Sequence, residues 1–272
     1  MRIFLIAFLV LAVSSCSKFA KVQKSTDYQY KLKMADQYYT EKKYNNAQQL
    51  YQELFPIFKG NPQFEDLFYK FAYCSYHLRD WLQAENLFKQ FTEVFPTSPK
   101  AEEMEYMRAY TFYRQSPKQD LDQTNTLKAI GLMQTFINTH PGSTRLPEAN
   151  KIIDDLRNKL EAKDYRSAEL YFNMGHYRAA AIAYTSLING FPDTDKGDQY
   201  KLQAIKSYYL YAENSVENKR VARYEQVINE VNDFTDRYPE SGLLKDAERY
   251  ATLSQNNIKQ IQNEQAKTTN QR

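Results

Sequence analysis

Reactive side chains are scarce in this sequence. His77, His140 and His176, the three histidines present, stand far apart and show none of the close spacing of a zinc site. No phosphate loop or nucleophile elbow occurs, and the many carboxylates lie on polar helical faces, where solvation accounts for them. Catalysis, cofactor binding and metal binding therefore have no visible seat. Of the two cysteines, Cys74 sits inside a helical apolar pattern and reads as a small buried residue. No disulfide framework can be built. What the chain has in quantity is tyrosine, 23 residues of it, with 16 phenylalanines. Tyr69, Tyr73 and Tyr76 form a stripe along one helix, beside a second stripe of Phe68, Phe71, Ser75 and Leu78. Tyrosine gives a large contact area with a polar tip at small entropic cost, which suits a groove for an extended peptide. In the alternative, the same rings pack against the preceding repeat.

Cys16 is a separate case. Arg2 precedes the apolar run Ile3 to Val13, which leads through Ser14 and Ser15 to Cys16. That run falls short of the roughly 20 residues needed to span a bilayer and reads as an export signal over residues 1–15. Val13-Ser14-Ser15-Cys16 resembles a bacterial lipobox, with serine where glycine or alanine is commoner. The resemblance implies cleavage before Cys16, a thioether to diacylglycerol and acylation of the new amine by a fatty acid such as palmitate. An ordinary signal with an incidental cysteine is the other reading. One acyl chain holds only marginally, whereas two or three make a durable anchor. Residues 16–27 are short, polar and basic, and are expected to form a tether. Ser17 is not aspartate and no acidic cluster follows, so bacterial sorting rules imply the outer membrane, facing the periplasm.

The elements that must hold any contact surface are announced by a repeat. Phe95-Pro96-Thr97-Ser98 returns as His140-Pro141-Gly142-Ser143, Phe191-Pro192-Asp193-Thr194 and Tyr238-Pro239-Glu240-Ser241. Ala84, Ala129, Ala180 and Val227 each precede the proline by twelve residues; Ala47 takes the same place before Lys59. Around them, large residues recur at offsets of minus three, four, seven and eleven, as in Trp81, Phe88, Phe91 and Phe95. These offsets trace one face of an α-helix, with the small residue marking a close helix crossing. Proline stops the helix and biases the residue before it away from helical geometry. The hydroxyl two residues on is expected to cap the next helix.

Along the chain, Ser25-Thr26-Asp27 offers a cap, and Tyr28, Leu32, Ala35 and Tyr39 follow at helical spacing. With Ala35, Tyr38, Ala47 and Tyr51 in place, the first hairpin resembles a tetratricopeptide repeat; Ala72, Ala84, Phe88 and Pro96 carry the second. The third has a loop expected over 115–125, without aromatics. Residues 147–174 keep apolar spacing with no break, as one helix or two end to end. Gly175 marks a tight turn in the fourth repeat, and Glu217 to Arg220 reads as a charged turn in the fifth. A last helix from Ser241 to about Ile258 would cap the array, leaving 259–272 as a frayed polar tail. The expected fold is all-α: a superhelical tetratricopeptide solenoid of five hairpins and a C-terminal capping helix. It divides into repeats 1–3 over 28–146 and repeats 4–5 over 147–258.

A near balance of 36 basic and 33 acidic residues creates no field for nucleic acid. The lipobox, five lengthened repeats, the closing aromatic-Pro-x-Ser/Thr strings and the cap together resemble the BamD family, the repeat lipoproteins of the outer-membrane β-barrel assembly machinery. That resemblance covers nearly all of the chain beyond Cys16. It implies a non-enzymatic scaffold without cofactors. Its C-terminal repeats would dock on a BamA-type β-barrel insertase beside other assembly lipoproteins, and its N-terminal repeats would receive C-terminal segments of unfolded outer-membrane proteins. Two other functions share the same physics: a cell-envelope adaptor lipoprotein, and a glycan-binding uptake lipoprotein, although the latter are usually much longer.

Overall fold

The computed structural model describes residues 18–270, and among them every regular element is helical. The helices are α1 (described over 18–23), α2 (Tyr28–Thr40), α3 (Tyr44–Phe58), α4 (Phe64–His77), α5 (Trp81–Val94), α6 (Ala101–Gln115), α7 (Thr124–Thr139), α8 (Leu146–Asn173), α9 (Tyr177–Gly190), α10 (Gly197–Glu213), α11 (Glu217–Arg237) and α12 (Leu244–Asn270). From α2 to α7, and again from α9 to α12, each helix packs on the next. Contacts also join α2 to α4 and α10 to α12, one hairpin's first helix to the next one's. This is the tetratricopeptide-type arrangement. The chain falls into two units, the first ending at Leu156 and the second beginning at Arg157, within the single helix α8.

The small residues sit where the pattern places them. Ala35, Ala47, Ala72, Ala84, Ala109, Ala129 and Ala149 are fully buried in the first unit; Ala168, Ala180, Ala204, Val227 and Ala247 are fully buried in the second. A methyl group at each crossing lets the backbones approach, and rings such as Tyr51, Phe88, Phe91, Phe136, Tyr184 and Phe234 fill the space on either side.

Two kinds of junction recur. Inside hairpins one, two and four, Lys42, Arg79 and Gly175 adopt φ of 57°, 61° and 76°. Their amides bond to the carbonyls of Tyr39, Tyr76 and Phe172, and the next amides, of Lys43, Asp80 and His176, reach back to Tyr38, Ser75 and Tyr171. These are Schellman turns, and the residue that completes each one is already the N-cap of the following helix. The first and second turns hold a charged residue in the left-handed region that suits glycine, at a cost of about 1–2 kcal/mol each.

Between hairpins, the repeated tetrapeptide does its stopping work: Phe95, His140, Phe191 and Tyr238 end α5, α7, α9 and α11, each amide bonded to the carbonyl four residues back. The hydroxyl behaves differently from the cap expected. Helices α6, α8, α10 and α12 begin three residues later, and Ser98, Ser143, Thr194 and Ser241 instead accept from the amide two positions on, at 3.0, 3.1, 3.3 and 3.1 Å. Each also donates to a carboxylate on a helix that precedes it: Glu65 (2.8 Å), Glu102 (2.5 Å), Glu161 (2.8 Å) and Asp198 (2.6 Å). In the first copy Asn61 takes the slot, accepting from the amide of Gln63 at 2.9 Å. The hydroxyl therefore starts a turn and straps it to an earlier helix.

Other expectations need correction. Residues 18–23 are not a free tether: they form α1, with Val22 buried and Phe19 set edge-on to Tyr38 at 5.8 Å. Phe19 and Val22, three apart, give this short basic stretch one apolar face. Leu78 does not join the buried stripe: it caps the C-terminal end of α4 and lies 39% exposed. Of the two readings left open for 147–174, the single helix holds: α8 runs unbroken from Leu146 to Asn173. Glu217 to Arg220 are not a turn but the opening of α11, and Arg220 donates to the carbonyl of Ser215. The last helix runs on to Asn270, with Ile261 buried against Ala212 and Tyr224, so the stretch read as a frayed tail is helical. The loop after α6 is ordered by Gln123, whose amide donates to the carbonyls of Lys118, Gln119 and Leu121 and accepts from Thr126.

Candidate peptide-binding surface

In the first unit, α4 presents Tyr69, Tyr73 and Tyr76 as half-buried rings rather than as core or as free surface. Their backs rest on the core: Tyr73 meets Phe88 edge-on at 5.6 Å, and Tyr76 lies 6.4 Å from the same ring. They lean toward the third repeat. Tyr69 and Tyr73 both donate to Glu103 on α6, at 3.1 and 2.7 Å, and Arg145 reaches Glu103 at 3.4 Å. Lys100 sits 4.7 Å above the Tyr69 ring. Burial, followed by the Glu103 carboxylate, holds the Tyr73 phenol well above its ordinary pKa. Burial likewise raises Tyr76. All three hydroxyls stay protonated; those of Tyr69 and Tyr73 already donate to Glu103, and Tyr76 meets Arg114.

The three tyrosines belong to a longer row. Tyr39 meets Tyr44 at 5.8 Å, and Tyr44 stacks on His77 at 4.2 Å with planes 15° apart. His77 lies 6.1 Å from Tyr73, Tyr73 6.5 Å from Tyr76, Tyr76 6.4 Å from Tyr110, and Tyr110 5.4 Å from Tyr113. Trp81 closes the side at 5.6 Å from Tyr76. Arg114, exposed at the end of α6, interacts with the hydroxyls of Tyr76 and Tyr110. Burial and then Lys42 hold His77 below its ordinary pKa, which favours the neutral imidazole. The row offers aromatic faces, phenol donors and one guanidinium. Such faces and polar tips are the kind of surface that suits an extended chain.

Only three members of this row were singled out from sequence. Tyr44 was absorbed into the core pattern, and Tyr110 and Glu103, seven residues apart on one face of α6, carried the missing signal. Cys16 lies outside the described residues. Cys74 is fully buried and free, and burial pushes its thiol up to about 12. Among the described residues there is no cluster of histidine, cysteine or carboxylate able to hold a metal, and no helix long and apolar enough to cross a membrane.

The second unit has its own exposed apolar surface. Leu170, Tyr171, Met174 and Ile182 are 58%, 44%, 58% and 50% exposed. Tyr171, Ile182 and Tyr211 line an open cleft of about 510 Å³ with Arg178, and the Arg223 guanidinium lies 4.0 Å over Tyr211.

Residues 24–223 match the family profile YfiO, described as an outer membrane lipoprotein. No curated protein sequence matches the chain. Among solved structures it is similar to the TPR2AB-domain:pHSP90 complex of yeast Sti1, at 11% identity and TM-score 0.41, covering 84% of this chain and 98% of that one. It is also similar to a Rap protein complexed with competence and sporulation factor, at 13% identity and TM-score 0.34, covering 91% and 79%.

Proposed function

The chain belongs to the YfiO, or BamD, family of outer membrane lipoproteins, and from that membership we propose that it is a non-enzymatic scaffold of the β-barrel protein assembly machinery. The observation that carries the reading is the family match, which runs through repeats of both units. Cys16 is the acyl acceptor, and the protein faces the periplasm. The aromatic row from Tyr39 to Tyr113 receives C-terminal segments of unfolded outer-membrane proteins, with Tyr69, Tyr73 and Tyr76 at its centre. The patch around Tyr171, Met174 and Ile182 docks on the periplasmic part of a BamA-type insertase, with other assembly lipoproteins alongside.

Affinity purification after gentle membrane extraction tests the assembly role. A barrel insertase should return in stoichiometric amount; a cell-envelope adaptor would return with other partners. For the row, Tyr73→Ala with Tyr76→Ala should cut crosslinking of an aromatic client peptide several-fold while helicity is kept. Unchanged crosslinking in a folded double variant would remove the row from client binding.

A further inference from the structure

Helix α1 brings the start of the described chain onto the first unit rather than leaving it loose. Val22 is 2% exposed, Phe19 packs on Tyr38, and Gln23 donates to Glu53 at 3.3 Å. Cys16 precedes Lys18 by two residues, and two residues of chain span at most about 7 Å. An acyl group on Cys16 therefore places lipid headgroups within that reach of α1. Lys18 and Lys21 on α1 and Lys24 just after it are all exposed and three residues apart, bordering the apolar side that Phe19 and Val22 bury. None of them has an ion pair among the described residues. The acids close by are already matched, Glu53 by the buried Lys31 at 2.8 Å and Glu41 by Lys43 at 2.7 Å. Tyr30, 43% exposed, stands beside Lys18 and Lys21. A cleft of about 310 Å³ between α1 and α2 is lined by Lys18, Lys21, Tyr30, Met34 and Lys43. Lysines around a half-exposed tyrosine are the composition of a protein surface at a bilayer interface.

We propose that the face made by Lys18, Lys21 and Lys24 with Tyr30 rests on the anionic phosphates of the bilayer that holds the acyl chains. The inference rests on Cys16 being the lipid site. It makes the anchor a seat: the first hairpin meets the membrane directly, and the protein's orientation there is set by charge as well as by the lipid.

The test uses acylated protein purified from membranes and reconstituted in bilayers of phosphatidylcholine, with or without about a third phosphatidylglycerol. Lysine acetylation rates are read by mass spectrometry. Lys18, Lys21 and Lys24 should be labelled on the order of tenfold more slowly in anionic bilayers than in neutral ones. The difference should fade at about 0.5 M salt. Because Lys18 and Lys21 make no ion pair, Lys18→Gln with Lys21→Gln leaves the fold intact and should also speed labelling of Lys24. Equal labelling of the three lysines in both bilayers overturns the proposal while leaving the anchor standing. A mature N-terminus found without lipid overturns both.

Discussion

Arg79 shows how much a single position is asked to bear. It sits at φ 61°, the left-handed region that Gly175 occupies in the fourth hairpin, and its side chain is exposed. Arg79→Gly should relieve the left-handed strain at a smaller entropic loss, raising stability by about 0.5–1 kcal/mol in thermal melts; a lower melting temperature would show that the side chain matters. Glu161 bears a different load. Burial alone would raise its pKa, but Tyr200 at 2.5 Å, Thr194 at 2.8 Å and Lys196 outweigh it and hold the carboxyl below its ordinary value. A group depressed in the folded state gives stability that is present above its unfolded pKa and is lost as pH falls through the folded one. Wild type should therefore melt higher than Glu161→Gln at pH 7, and the gap should shrink below about pH 4.3. A constant gap would exclude ionisation as the cause. Residues of this kind were only half legible. The periodicity of Ser98, Ser143, Thr194 and Ser241 was plain, but their carboxylate partners lie 33 to 43 positions back, and no local pattern pairs them.

At the scale of elements, the packing faces followed from spacing, because small residues and rings at period 3.6 leave one solution for which side goes in. Helix ends followed less well. α1 escaped notice because two apolar residues among lysines are too few to register as a period, and the continuation of α12 beyond Ile258 because polar glutamines surround the buried Ile261. Close approach is equally invisible until elements meet. Gly197, the first residue of α10, lies so near the Tyr238 hydroxyl that an added Cβ would stand 2.6 Å from it. Gly197→Val should displace that ring and cost about 1–3 kcal/mol, read by chemical denaturation; an unperturbed midpoint would mean that Tyr238 swings away freely.

For the molecule as a whole, the lipoprotein family was within reach of the sequence because signal, cysteine and repeat count are each local features. The surfaces were not, since they gather residues from several helices. The row from Tyr39 to Tyr113 draws on α2, α3, α4 and α6, and the patch around Tyr171 draws on α8, α9 and α10. Met174→Glu with Ile182→Glu, both at exposed positions, should leave melting within about 0.5 kcal/mol of wild type yet sharply reduce recovery of the proposed insertase partner on purification. Full recovery would send the docking surface elsewhere.

The Schellman turns carry one more consequence, for chain length. At Lys42, Arg79 and Gly175 the end of one helix and the cap of the next share neighbouring residues, so no slack exists. Adding one residue after Arg79 would rotate α5 by about 100° and turn Ala84 out of the crossing it occupies. Relatives of this chain should therefore differ in length at 116–123 and 214–216, and hardly ever inside those three turns.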